Sequence, residues 1–183
     1  HLFTKAKFVV QRKELQSALY NPPTAQIPFY NKKMFENLNF QVIEGDTKIT
    51  DGVWVIFTPG HTPGGQSVVV DTPKGRVVIA GLCTIQLNFE PPEPYSAIWP
   101  VITPGIHSDV EQSYKSLLRI KTIADTPVAP HDIKWSQVES IECIRNFCWT
   151  NLGPSYRLPI ESTIINDFSM KLAKKTWFYT KIR

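Results

Sequence analysis

The chain has 183 residues, of which 42% are hydrophobic and 20% charged, enough to bury a sizeable core within one domain of ordinary globular composition. Its formal net charge of +4 comes from scattered lysines and arginines and a denser tail at Lys171, Lys174, Lys175, Lys181 and Arg183; with no recognition motif beside it, that tail reads as solvated surface, not as a nucleic-acid site. No apolar run approaches the roughly eighteen residues that cross a bilayer, and three cysteines (Cys83, Cys143, Cys148) without framework spacing argue against a disulfide-stapled domain and fit a reducing, cytoplasmic setting.

Lys7–Gln11 reads as a short buried strand and Lys13–Leu19 as one or two helical turns. Asn21-Pro22-Pro23 then breaks the chain, because consecutive prolines cannot continue a helix. A loop runs to Tyr30, and Lys32–Leu38 is expected to be helical. Phe40–Ile43, Lys48–Ile49, Val53–Thr58, Gln66–Asp71 and Arg76–Ala80 form a series of short strands, with turns at Gly45-Asp46, Asp51-Gly52 and Pro73-Lys74-Gly75. Residues 90–106, with Pro91, Pro92, Pro94, Pro100 and Pro104 and no clear periodicity, are expected to form a long loop over the site. A helix follows: Ser108 and Glu111 have capping-box spacing, and Val110, Tyr114, Leu117, Leu118 and the Ile120–Ile123 end recur on one face. Thr126–Pro130 is a strand leading to His131, and Ser136–Cys148 a further helix. Residues 150–183 have the aromatic content of an ordered tail, with Trp177, Phe178 and Tyr179.

The segment Thr58-Pro59-Gly60-His61-Thr62-Pro63-Gly64-Gly65-Gln66-Ser67 places one histidine at a glycine-rich bend between two apolar runs. Flanking strands fix the backbone there, and glycine and proline aim the imidazole out of the sheet edge, which suits a metal ligand. A histidine in a loop is equally compatible with simple solvation.

That segment resembles the third metal-binding motif of the metallo-β-lactamase superfamily, in particular its N-acyl homoserine lactonase-like branch. The resemblance continues in order along residues 2–133. Leu2-Phe3 and Phe8-Val9-Val10-Gln11-Arg12-Lys13-Glu14 resemble the segment after the first metal motif. Val42-Ile43-Glu44-Gly45-Asp46 and Asp51-Gly52-Val53 precede the His61 bend as in that branch, Asn88-Phe89-Glu90 falls at the expected distance, and Pro130-His131-Asp132 resembles the closing histidine motif.

The resemblance implies an α/β fold, the C-terminal part of a metallo-β-lactamase αββα sandwich, over residues 1–149, with residues 150–183 an extension packed on the same domain. The superfamily's His-x-His-x-Asp-His cluster occurs nowhere in the chain, and His1 lies too close to Phe3 and Gln11 to be its last histidine. The chain is therefore expected to be the C-terminal part of a larger protein. An apolar sheet face left bare would be covered by a partner, most simply an N-terminal chain carrying the missing motif. An oligomer of the pair is also allowed.

By resemblance, His61 serves one divalent metal and His131 another, zinc first with iron or manganese as alternatives, one or two ions in all. The family's metal-bridging aspartate falls on Gly81 and its lactone-opening tyrosine on Thr84. Cys83 either supplies a thiolate in place of the carboxylate, at a zinc–sulfur distance of about 2.3 Å, or is a small buried hydrophobe. His107 and Phe89 are candidates to touch substrate, with Trp99 beside Phe89 under the proline-rich loop; a hydrophobic-staple or surface role is the alternative for His107, and Asp132 is a candidate to orient its neighbour or a ligand. Two readings follow. One is a metal-dependent hydrolase opening a lactone, cyclic amide or ester through a metal-bound hydroxide, completed by the N-terminal chain. The other is a non-catalytic binding subunit that keeps the fold; a metal-bound redox or sulfur-handling member is a weaker third.

Overall fold

The structure is a computed structural model that describes residues 5–136. His1, Leu2-Phe3, the helix expected over Ser136–Cys148 apart from its first residue, Cys143, Cys148 and the 150–183 extension lie outside the described residues.

Two sheets organise the chain. The smaller pairs β1 (Phe8–Gln11) with β2 (Phe40–Ile43) in parallel, Phe8 opposite Phe40 and Gln11 opposite Ile43. A parallel pair needs a long crossover, supplied here by helix α1 (Arg12–Tyr20) and two 3-10 segments, Thr24–Phe29 and Lys32–Met34. Pro22 and Pro23 end α1 as expected. The helix expected over Lys32–Leu38 shrinks to one 3-10 turn, capped by the Asn31 side chain accepting from the Lys33 N–H.

The larger sheet runs β3-β4-β5-β6-β7. Its strands are β3 (Thr47–Thr50), β4 (Val53–Phe57), β5 (Gln66–Thr72), β6 (Gly75–Ile79) and β7 (Thr126–Val128). All neighbours are antiparallel except β6 and β7, which are parallel. Between those two the chain makes a short helix α2 (Gln86–Phe89), the proline-rich segment with a 3-10 turn at Tyr95–Ala97, and helix α3 (Val110–Ile123). A last short helix, α4, spans Ile133–Ser136. No helix among the described residues is long and apolar enough to cross a membrane.

Alternation along the strands sends Ile56, Val69 and Val78 to one face, where they meet Leu117 and Ile120 of α3 together with Leu82, Phe89, Val101 and Ala129. Leu117 and Ile120 are fully buried, each contributing about 1.5–3 kcal/mol of transfer free energy. The capping residue of α3 differs from expectation. Asp109, not Ser108, accepts the Gln112 N–H at 2.9 Å, while the Ser108 hydroxyl donates to the Gly60 carbonyl. The opposite sheet face also differs. Val55, Val70 and Val77 are buried there, and Val53, Phe57, Val68 and Ile79 half-buried, so the wholly bare face expected from the sequence is not seen.

Candidate functional site

Strand pairing decides where the candidate residues meet. The end of β4 (Phe57) pairs with the start of β5 (Gln66), the end of β6 (Ile79) lies beside Val68, and the end of β7 (Val128) lies beside Ile79. The segments leaving β4, β6 and β7 therefore emerge at one end of the sheet. They carry His61, Gly81–Thr84 and His131 respectively. Cross-links hold them together: the Ala80 N–H donates to Val128 O, the His131 N–H to Thr84 O, and the Gly81 N–H to Ser67 Oγ at 2.9 Å. Ser67 Oγ also pairs with Thr58 Oγ1 at 2.7 Å, tying the root of the His61 loop to the same lattice.

The His61 loop is fixed against α3. Gly60 adopts φ +127°, a left-handed value that favours glycine, and a Cβ there would meet the Ser113 side chain at 2.8 Å. Its carbonyl accepts the N–H groups of Ser108 and Asp109, and the Pro59 carbonyl accepts the Ser116 hydroxyl at 2.6 Å. At the loop's root, Asp46 accepts the Phe57 N–H and is paired with Arg119, which also donates to the Phe57 carbonyl. The Arg119 guanidinium holds the Asp46 carboxyl below its ordinary range.

His61 Nδ1 lies 3.0 Å from the Ile106 carbonyl. A carbonyl only accepts, so Nδ1 carries the proton and Nε2 becomes the ring's electron-pair donor, the arrangement that orients metal-ligating histidines. Nothing in the sequence around Ile106 announces this partner, because the contact is made by main chain. His131 is within electrostatic reach of His61. Burial of its ring, then the repulsion of a charged His61, lower its pKa, although the side chain as a whole is exposed. Both causes favour the neutral imidazole, which is the ligating form.

The remaining candidates have other surroundings. Cys83 is half-buried, and burial alone pushes its thiol up, with no cationic neighbour to hold a thiolate. No group of three or more His, Cys, Asp or Glu side chains able to hold a metal occurs among the described residues, so His61, His131 and Cys83 do not complete a centre by themselves. Phe89 is 1% exposed and packs in the core under α3, not along an open cleft as its expected role would need. The Asp132 carboxylate caps main chain, accepting Gln86 N–H at 2.8 Å and Lys134 N–H at 3.0 Å, so it braces the His131 turn without engaging an imidazole. His107 is exposed, its Nδ1 2.9 Å from Pro104 O, and does not line the open groove of ≈ 510 Å³ between the proline-rich segment and α3. Tyr95, Trp99, Val101, Ile102, Val110 and Tyr114 are among the residues lining that groove. Thr84 is fully buried, and a side chain at Gly81 would run into the main-chain carbonyl of Gln66.

The chain's structural neighbours have the metallo-β-lactamase fold. The chain is a homologue of the N-acyl homoserine lactonases of that superfamily. It is 28% identical over 138 residues to the N-acyl homoserine lactonase of Bacillus cereus, covering 72% of this chain and 49% of the relative. A B. thuringiensis AiiA variant with N-decanoyl-L-homoserine bound at its active site matches at 29% identity and a TM-score of 0.55, over 72% of this chain and 49% of that one. An N-acyl homoserine lactone hydrolase with N-hexanoyl-L-homoserine bound at its catalytic metal centre matches equally well, with TM-score 0.55. The chain thus spans about half the length of the relatives it matches. No protein-family model matches it.

Proposed function

We propose that the chain is part of a metal-dependent hydrolase that opens a lactone, cyclic amide or ester. The observation that carries this reading is the convergence of His61 and His131 at one end of the sheet, within electrostatic reach of each other and with the His61 proton held on Nδ1. His61 and His131 are the donors this chain offers to a divalent ion, zinc by preference. A bound ion there supplies a Lewis acid, polarising a carbonyl and lowering the pKa of water to about 7. The chain's own contribution is to aim the His61 imidazole through the Ile106 carbonyl and to favour the neutral form of His131. The apolar groove lined by Trp99 and Tyr114 supports a substrate with an apolar arm, in keeping with the acyl homoserine ligands of the relatives. The remaining donors come from an N-terminal polypeptide bearing the His-x-His-x-Asp-His motif, in a reducing, cytoplasmic setting.

The test is metal analysis of the purified protein together with the intact mass of every polypeptide in it. One to two divalent ions are expected with a polypeptide that carries the motif, and His61→Ala should remove most of one equivalent. Unchanged metal content in His61→Ala sinks the assignment. A second reading, a binding subunit without chemistry, has its own support. The position matching the bridging aspartate admits no side chain, and the one matching the catalytic tyrosine is a buried threonine. Metal-free protein retaining affinity for acyl lactones favours that reading.

A further inference from the structure

Helix α1 lies directly on the loop that carries His61. Gly64, three residues past the histidine, is buried, and a Cβ on it would overlap the main chain of Glu14. Glu14 sits half-buried in the first turn of α1, and its carboxylate is divided between two partners. Oε2 accepts the Gly64 N–H at 3.1 Å, and Oε1 accepts the Tyr30 hydroxyl at 2.6 Å. Gly64 lies in the bend outside the β4–β5 ladder, so without the carboxylate its buried N–H loses this partner. Tyr30 in turn is held protonated: burial first, then the hydrogen bond to Glu14, raise its phenol well above the ordinary range.

The two flanks of the loop differ in kind. On the α3 side, residues 59–61 are held through the carbonyls of Pro59 and Gly60 and the His61–Ile106 contact. On the α1 side, a charged side chain reaches across from another element and grips the main chain at Gly64. Packing alone needs no carboxylate at a half-buried helix–loop contact, since a carboxylate is tolerated there only with donors to satisfy it. Two donors, one from the loop and one from Tyr30, do so. The sequence hinted at this: Glu14 closes the Phe8–Glu14 segment of the family resemblance, but no role attaches to it from pattern alone.

We propose that Glu14, locked by Tyr30, is a positioning residue that fixes the His61 imidazole for metal binding by clamping Gly64 from the side opposite α3. The proposal rests on the metal reading of His61, but its readout does not. The full chain, uniformly labelled with ¹⁵N, reports the His61 tautomer from its ring nitrogens by NMR and zinc affinity by shift perturbation. In Glu14→Ala, the His61 signal should move from the Nδ1–H tautomer toward a mixture, and zinc affinity should fall about 10-fold, as for other groups that orient a ligand. Amide shifts of β4–β6 should stay in place. Glu14→Gln keeps an oxygen for the Gly64 N–H and should recover affinity to within about threefold.

A Glu14→Ala chain with a lowered unfolding midpoint but an unaltered His61 tautomer and zinc affinity overturns the proposal, leaving only a structural contact. Should Glu14→Ala fail to fold, Tyr30→Phe decides. It removes the lock yet leaves the carboxylate, and unchanged tautomer and affinity in that variant refute the idea. If the unaltered chain takes up no zinc, the metal reading fails, and the His61 tautomer alone decides whether Glu14 positions the ring.

Discussion

Gly81 stands where the family resemblance puts a metal-bridging aspartate, and the structure predicts that restoring the side chain will fail on steric grounds. A Cβ at Gly81 would lie 2.7 Å from the carbonyl carbon of Gln66 and closer still to its oxygen, although Gly81 itself is exposed. Neither side can yield easily. Gln66 is held by its pairing with Phe57, and the Gly81 N–H is committed to Ser67 Oγ. Overpacking typically costs 1–3 kcal/mol, and the main-chain contact keeps this one out of the lower part of that range, at about 2 kcal/mol for Gly81→Ala. With a urea m-value of ~2 kcal/mol/M, the midpoint should fall by ~1 M. Tryptophan fluorescence in urea measures it, with Gly105→Ala as control, because nothing lies within 4 Å of a Cβ there. The control should stay within about 0.5 kcal/mol of the parent. Gly81→Asp should show the same loss and no gain in metal content. A Gly81→Ala chain as stable as the Gly105→Ala control would refute the reasoning.

Phe89→Ala should lower stability by about 3–5 kcal/mol, as for a buried aromatic, because the ring is in the core under α3; a change confined to substrate affinity, with the unfolding midpoint intact, would restore the ring to the site. Cys83→Ser should leave zinc affinity unchanged, since only burial acts on the thiol and raises it; weakened or altered metal binding would instead identify a thiolate ligand. Asp46, whose folded pKa is lowered from 3.8 chiefly by Arg119, contributes stability that is present above the unfolded value and lost as pH falls through the folded one. Arg119→Met should therefore flatten the acid limb of a stability–pH profile, modestly, because the pair is largely exposed and such pairs are worth about 0.2–1 kcal/mol. An acid limb unchanged in that variant would show that the pair is not responsible.

The strands were legible because alternation and turn chemistry coincide in this chain: Val53–Phe57 and Gln66–Thr72 are bounded by Asp51-Gly52, the His61 bend and Pro73-Lys74-Gly75. The convergence of His61 and His131 was legible only through resemblance, since no local pattern reveals that β6 and β7 pair in parallel. Main-chain contacts were beyond reach. The Ile106 carbonyl that sets the His61 tautomer and the Gln66 carbonyl that closes position 81 belong to residues whose side chains say nothing of it. The burial of Phe89 was not legible because an aromatic beside an expected site reads the same in sequence whether it faces core or cleft; α2 is too short for a period to separate them. Asp132 was read as orienting its neighbour or a ligand, and the means was not legible: short polar side chains near helix starts compete for main-chain N–H groups, and here α2 and α4 supply both that Asp132 accepts.

Charge sets the remaining condition on the site. His61 and His131 are neutral donors when they ligate, and no carboxylate or thiolate joins them in a donor group among the described residues. An ion with a charge of +2 held by these two imidazoles alone keeps its full charge, which favours polarising a carbonyl, but two ligands leave it under-coordinated and open to competing anions. If a His-x-His-x-Asp-His motif completes the site, its aspartate carries more weight than in a centre with a carboxylate bridge, because it would be the centre's negative ligand. A polypeptide that supplies histidines without that aspartate would give a centre with no negative ligand, which should keep the ion's full charge on a bound water or carbonyl.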